Sequence, residues 1–525
     1  HRPPGSIAGS RPTGRPGRSP STLERIGVSD HHPAAVIVLA AGEGTRMKSA
    51  VPKVLHSIGG RTLLGHAVHA ARSAAPQHLA VVVRHQRDLV APHVGELDPT
   101  ALVADQDEVK GTGRACECGL EVLPPDLSGT VLVTMGDVPL LTGETLRELT
   151  RHHEDSGAAV TVITAELPDA RSYGRVVRDE HGDVLAIMEH KDALAHRAAG
   201  DEFAHVLDLR EINSGIYAFD AELLRTALAE VGTDNAQGEK YLTDVVGIAR
   251  RQGRKVVAHL VDDLWQTEGV NDRVQLAALG AELNRRTVEH WMREGVTVVD
   301  PGTTWIDADV TIGRDTVIRP NTQLLGATTV GADVVIGPDT TLTSVTVGDG
   351  AGVVRTQAEL AEIGPGASVG PFSYLRPGTR LGAGGKIGGF VETKNADIGE
   401  GAKVPHLTYC GDATIGEGAN IGAGTIFANY DGVTKHHTSV GRHSFVGSDS
   451  VLIAPVEIGD GAYVAAGSAI EGDVSPGQIA VARGRQRNID GWVARRRAGT
   501  STDRAARDAA RPTSSDDTPT QGGSR

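Results

Sequence analysis

The sequence predicts an α/β domain with a mainly parallel sheet, followed by a connecting helix and a parallel β-helix. Two observations carry this reading. Between residues 34 and 272, short aliphatic runs alternate with helical patterns. From about residue 303 to residue 480, aliphatic residues return every six positions, most of them followed by glycine.

In the first half, AAVIVLAAG at 34–42 reads as a strand, LLGHAVHAARSAA at 63–75 as a helix and LAVVV at 79–83 as a second strand; TVLVTMGDVPL at 130–140 and AAVTVITAEL at 158–167 continue the alternation. Such an order implies βαβ crossovers and a Rossmann-like sheet with helices on both faces, whose ligands sit beyond the C-terminal strand ends. Residues 273–294 place Leu276, Leu279, Leu283, Val288 and Trp291 at near-helical spacing, with Glu282 four residues before Arg286, and so predict a connecting helix. In the second half, Ile312, Ile318, Leu324, Val330, Ile336 and Leu342 keep the six-residue beat. Ile363, Val369, Leu375, Leu381 and Ile387 resume it, as do Val440, Val446, Leu452, Ile458, Val464 and Ile470. A helix of 3.6 residues per turn scatters such positions, whereas short strands joined by tight turns stack them into one inward ladder. The spacing slips after Ile387 and again between Ile421 and Val440. Residues 1–33 and 494–525 are poor in apolar side chains and are expected to be disordered tails, leaving 34–272, 273–294 and 295–493 as domain, linker and domain.

A chain of 525 residues is too long for one core. Its 66 glycines and 3% aromatics suit a solenoid with a narrow interior. The net charge of −14 supplies no basic field for a nucleic-acid backbone or an anionic membrane, so neither is an expected partner. No run of eighteen apolar residues occurs, and a cytoplasmic chain is expected. Three cysteines make no disulfide framework, and Cys116 and Cys118 are too sparsely accompanied to hold a metal.

The first strand runs into LAAGEGTRM at 39–47, followed by PKVL at 52–55. Gly42 and Gly44 allow a tight turn that brings N–H groups against a phosphate, while Arg46 and Lys53 supply the charge a triphosphate demands. The loop is neither GxGxxG nor a P-loop. Met135, Gly136 and Asp137 close a later strand and put a carboxylate at the sheet's C-terminal edge, where a hard oxygen suits Mg²⁺.

This G-x-G-T-R-M loop with its P-K-x-L segment resembles the signature of sugar-1-phosphate nucleotidyltransferases. Further on, LRPG at 375–378, FVETK at 390–394, HLTY at 406–409 with Gly411 and Asp412, NIGAG at 420–424, NYDG at 429–432 and GSD at 447–449 extend the match. Together, residues 34–493 resemble the bifunctional bacterial enzymes that join a UDP-N-acetylglucosamine pyrophosphorylase to a glucosamine-1-phosphate N-acetyltransferase. The resemblance implies a left-handed β-helix, a homotrimer, and UDP-N-acetylglucosamine made from glucosamine-1-phosphate, acetyl-CoA and UTP with Mg²⁺. For the first half it implies that Asp137 and Asn271 hold Mg²⁺ and that Lys53 and Arg46 neutralise phosphates. Gln106, Gly111 and Thr112 read the uracil end, with Leu39, Ala40, Ala41, Gly42, Met135 and Gly136 around the nucleotide, and Gly174, Glu189 and Asn213 line the sugar pocket. Lys110, Arg114, Met135, Asp272 and Arg84 depart from the family's usual residues, and the first two flank the uracil loop.

For the second half, the resemblance implies acetyl transfer to the sugar amine. Only the free amine attacks a thioester, so a general base is needed, and His406 is the implied one. Arg376 and Lys394 clamp the sugar phosphate, with Tyr409, Asn420 and Lys435 beside them. Asn429 and Tyr430 steady the acetyl carbonyl. Ala423, Ser448, Ala466 and Arg483 meet acetyl-CoA. Two rival readings are a single-function nucleotidyltransferase with a β-helix used only for assembly, and a scaffold of two degenerate domains; Arg376, Lys394, His406 and Asn429 oppose the first, and Lys53, Asp137 and Asn271 the second. A hexapeptide metalloenzyme needs three converging histidines, and His436, His437 and His443 read instead as loop residues.

Overall fold

In the computed structural model, residues 31–510 are described, apart from Arg171 and Ala236. They divide into two compact units that meet in sequence between Thr287 and Val288.

The first unit begins with β1 (Ala35–Leu39), a short hairpin β2 (Ser57–Ile58) and β3 (Arg61–Thr62), and α1 (Leu63–Ser73). There follow β4 (His78–Val83), α2 (Arg87–Leu97), β5 (Leu102–Asp105), α3 (Thr112–Glu121), β6 (Thr130–Met135), α4 (Gly143–Ser156) and β7 (Val160–Glu166). A hairpin of β8 (Arg175–Arg178) and β9 (Val184–Met188) leads through α5 (His190–Ala199) to β10 (Glu211–Asp220), α6 (Ala221–Glu230), α7 (Asp244–Arg251) and β11 (Val256–Leu260). The sheet order is β11-β7-β10-β6-β1-β4-β5. All neighbours are parallel except β10, which runs antiparallel to both β6 and β7. Alternate residues of β1 face opposite layers: Ile37 packs with Cys116, Leu120 and Leu224, and Val38 with Leu64, Val90 and Leu149. Burial on both faces is why the strand reads as an unbroken apolar run rather than an alternation.

A helix α8 spans Arg273–Arg293. Leu276, Leu279 and Leu283 pack with Met47, Ile58 and Leu63, whereas Val288 and Trp291 belong to the core of the second unit. The helix therefore contributes to both cores.

The second unit is a parallel β-helix. Trp305 pairs with Gln323 and Val317 with Val335, an advance of 18 residues per coil. Ile306, Leu324, Leu342, Ala358, Leu375, Thr393 and Cys410 stand above one another on successive coils and point inward. The slip after Ile387 is a shorter coil: Lys386 pairs with Lys403, 17 residues on, and Thr393 takes an inward place with its hydroxyl 3.0 Å from Thr379 Oγ1. The second slip is an insertion. Ala413 pairs with Thr438, 25 residues on, because a hairpin closed by Tyr430 and Lys435 leaves the coil there.

The tail expectation needs correction between residues 494 and 510. α9 (Trp492–Arg496) and α10 (Ser501–Ala509) form there, and α10 is held by local contacts rather than an apolar face: at its N-terminal end Asp503 N–H donates to Thr500 Oγ1 at 3.3 Å, and along it Arg507 pairs with the Asp503 carboxylate at 3.0 Å. Residues 1–30 and 511–525 of the expected tails lie outside the described residues.

Candidate active sites

In the first unit the loop after β1 is tied to the loop after β6, since Gly136 N–H donates to Leu39 O at 2.9 Å. Gly44 takes φ of 63°, and a Cβ there would stand 2.5 Å from Lys53 Cβ. Only glycine lets this turn lie against the lysine stem. At Gly42 a Cβ would meet nothing within 4 Å, so its bareness keeps space open rather than permitting a strained turn. The open space is a cavity of about 350 Å³ that collects Leu39, Ala41, Gly42, Gln106, Gly111, Thr112 and Met135. Ala40 is buried beneath it, with Gly136 packed against it.

Four polar residues gather at the adjoining strand ends. Lys53 Nζ donates to Asp137 Oδ2, and Arg46 Nη2 donates to Asn271 Oδ1 at 2.7 Å. Val270 N–H holds the Asp137 backbone carbonyl at 2.9 Å, which fixes the 269–271 segment beside the carboxylate. Asp137 and Asn271 offer hard oxygens without a closed protein cage, and no group of three or more His, Cys, Asp or Glu suited to a metal occurs among the described residues. That donor set fits Mg²⁺, which takes few protein ligands and fills its shell with water and phosphate.

Gly174, Glu189 and Asn213 form a third cluster. Asn213 N–H donates to Gly174 O at 3.0 Å, and Asn213 Oδ1 accepts from Tyr217 Oη at 2.8 Å. Burial pushes the Glu189 carboxyl above the usual range, against a hydrogen bond from Thr243 and with help from Asp192, Asp244 and Glu239. Sequence reasoning missed Glu239 and Lys240. The Lys240 backbone straps the Lys110–Gly113 loop, accepting from Gly113 N–H at 2.8 Å and donating to Lys110 O at 2.9 Å. Gly111, at φ of 113°, would put a Cβ 2.2 Å from Lys240 O, and this close approach is the signal its glycine carried. Arg114 turns away from the cavity to Asp107, Glu117 and Glu121.

In the second unit a column runs along one corner of the coils. Gly424 N–H donates to His406 O at 3.2 Å, Asp449 N–H to Ala423 O at 2.8 Å, Gly467 N–H to Ser448 O at 2.8 Å, and Arg483 Nη1 to Ala466 O at 2.9 Å. His406, Ala423, Ser448, Ala466 and Arg483 are thereby stacked on successive coils, spanning about 19 Å at ~4.8 Å per coil.

A second group gathers cations. Arg376 N–H donates to Thr393 O at 2.9 Å, and Lys394 pairs in register with Gly411. Lys435, from the inserted hairpin, lies against Lys394 and, with Arg376, holds its ammonium below the usual range. Burial tends to raise the Asp412 carboxyl, but hydrogen bonds from Asn395 and Asn429 and the Lys394 and Lys435 charges hold it low. Tyr409 and Asn429 crowd the same spot: a Cβ on Gly411 would fall 2.3 Å from the tyrosine hydroxyl and 3.0 Å from Asn429 Nδ2. Tyr430 stays exposed in the hairpin, its hydroxyl on Gly432 O at 2.6 Å. Asn420 lies on another face between Lys403 and Phe445 and makes no hydrogen bond to either group among the described residues. His436 pairs with Asp431 at 2.8 Å, His437 with Thr414 at 3.0 Å, and His443 lies against Gly418, where a Cβ would fall 2.3 Å from its Nδ1, so each loop histidine has a different neighbour.

A nucleotide-sized cavity at the C-terminal edge of a mainly parallel sheet, joined to a hexapeptide-built left-handed β-helix, defines a two-domain transferase. Its first unit matches the MobA-like NTP transferase domain over residues 36–211, and its second the bacterial transferase hexapeptide (six repeats) over 309–344 and 437–472. It is 58% identical to the bifunctional protein GlmU of Pseudarthrobacter chlorophenolicus, over 94% of this chain and 98% of that one. It is 57% identical to GlmU of Micrococcus luteus, over 90% and 96% of the two chains, and 56% identical to GlmU of Streptomyces avermitilis, over 92% and 99%. The chain belongs to the GlmU family of bifunctional proteins. It is a glucosamine-1-phosphate N-acetyltransferase and a UDP-N-acetylglucosamine diphosphorylase.

Proposed function

We propose that the two activities are held by two separate groups of residues, one in each unit. In the first, Lys53 and Arg46 bind the phosphates of UTP while the phosphate of N-acetylglucosamine-1-phosphate attacks the α-phosphorus and pyrophosphate leaves. Mg²⁺ held by Asp137 and Asn271 supplies charge neutralisation when bound. Everything else is orientation: Gln106, Gly111 and Thr112 hold the base, and Gly174, Glu189 and Asn213 the sugar. The pairing of Lys53 with Asp137 and of Arg46 with Asn271 supports this, because it puts each cation beside one of the hard oxygens.

In the second unit His406 takes the proton from the sugar ammonium, freeing the amine for the thioester. Arg376 and Lys394 bind the phosphate, with Lys435 and Tyr409 as further polar contacts, and Asn429 and Tyr430 steady the acetyl carbonyl; Asn420, on its separate face, is not part of that group. The column carries this reading. Ala423, Ser448 and Ala466 form a shallow track of small side chains from His406 to Arg483, and its length suits a pantetheine arm ending in a nucleotide.

Substitution separates the two sites. His406→Ala is expected to lower acetyl transfer by about 10² to 10⁴ and leave uridylyl transfer intact; Asp137→Ala is expected to do the reverse. Loss of both activities in either folded variant would sink the assignment.

A cytoplasmic homotrimer completes the proposal. No helix among the described residues is long and apolar enough to cross a membrane. On neighbouring coils Phe372, Phe390 and Leu407 lie 54%, 62% and 61% exposed, the two rings stacked 5.2 Å apart, beside His406. A second copy of the chain would cover such a ladder. Light scattering is expected to give three times the chain mass, and a monomer that still acetylates would exclude a shared site.

A further inference from the structure

The nucleotide cavity holds two cations for which the reading above has no task. Arg84 follows β4, Lys110 precedes α3, and both line the cavity. Neither side chain makes a hydrogen bond or an ion pair with a described residue. Arg84 feels the Asp107 charge, but that carboxylate is bound to Arg114 at 2.8 Å. Glu43 and Glu239 share the lining without pairing with either cation.

Sheet order says which part of a nucleotide they face. Lys53, Asp137, Arg46 and Asn271 gather by the ends of β1 and β6, whereas β4 and β5 continue to the sheet edge on the other side of β1. A nucleotide with its phosphates at the first group turns its base toward β4 and β5. Gln106 follows β5 there, and its Nε2 donates to Val109 O at 2.9 Å and to Gly111 O at 3.2 Å. Those two carbonyls fix the amide, and Oε1 is left as an acceptor.

Uracil presents an acceptor, a donor and an acceptor along its edge: O2, N3–H and O4. A fixed acceptor that shares its cavity with two cationic donors can meet all three. Cytosine presents O2, a bare N3 and an N4 amine, which sets acceptor against acceptor at Gln106 and donor against donor at one cation. We propose that Arg84 and Lys110 are specificity-determining residues that donate to the two uracil carbonyls on either side of the N3–H held by Gln106. The inference rests on the uridylyl reading of the first unit. Discrimination follows because the wrong base leaves polar groups that line the cavity unpaired.

The test uses the full chain with Arg84→Met, Lys110→Met, the double variant and Lys110→Arg. Calorimetry measures UMP and CMP binding, kcat/KM is measured for UTP and CTP, and acetyl transfer in the same samples reports on folding. Each Met variant is expected to lower the preference for uridine over cytidine nucleotides by about 10-fold, the double variant by more, and Lys110→Arg to keep it. A preference within about two-fold of the parent overturns the proposal. So do equal losses for both nucleotides, which would place the cations on phosphates. A parent chain that acetylates but neither binds nor turns over UTP would remove the uridylyl reading itself, and this inference with it.

Discussion

Gly42 and Gly44, three and five positions after the first strand, have opposite work, and the difference is measurable. Gly44 sits at φ of 63° with its missing Cβ 2.5 Å from the Lys53 stem, so Gly44→Ala adds both left-handed strain and a clash. That substitution is expected to cost about 1–2 kcal/mol and to displace Lys53. Uridylyl transfer should fall mainly in kcat if, as proposed, the Lys53 ammonium acts on charge in the transition state. Gly42→Ala meets nothing within 4 Å and leaves the backbone unstrained, but its methyl enters the cavity. It is expected to preserve the melting temperature and raise KM for UTP. Steady-state kinetics and thermal melts of the two variants check the contrast, and identical profiles would refute it.

At the scale of elements, what the sequence revealed depended on whether a residue's job was local. The β-helix was legible because each coil repeats one demand: Ile318, Leu324 and Ile336 are all fully buried at the expected beat. The tight turn after β1 was legible because Gly44 must hold a conformation that few residues adopt. Non-local jobs were hidden. Nothing in the order of residues says that Lys240 straps Gly111 and Gly113 with its backbone, or that Arg114 reaches Asp107 rather than the nucleotide, since such contacts depend on how distant segments fold together. β10 reads as an ordinary strand, yet it runs against both β6 and β7 between which it lies; periodicity carries no direction. The α10 helix was missed for another reason. Its apolar content is too low to bury a face, but capping and an i, i+4 ion pair order it locally. The hairpin at 430–435 showed only as lost spacing, although it delivers Lys435 to the cation group.

Across the whole molecule, the two units keep separate cores. Leu132 lies fully buried in the layer beneath β6 with Val38, Leu64 and Leu149, and shares no cluster with the β-helix interior. Leu375, also fully buried, stands in the inward column between Ala358 and Thr393. Cutting either to alanine leaves a cavity costing about 2–5 kcal/mol. In a unit of 200 to 250 residues, that loss shifts a melting transition by roughly 5 °C or more. The units should respond independently: Leu132→Ala lowers the temperature at which uridylyl transfer is lost and spares acetyl transfer, while Leu375→Ala does the opposite. A β-helix transmits damage only through neighbouring coils, so the second variant should also weaken the Arg376 and Lys394 cluster, one coil apart, before it reaches Arg483 at the far end of the column. Heating each variant, sampling both activities and comparing the two loss curves reads all of this in one experiment. Loss of both activities at one shared temperature would show that the units unfold as one body.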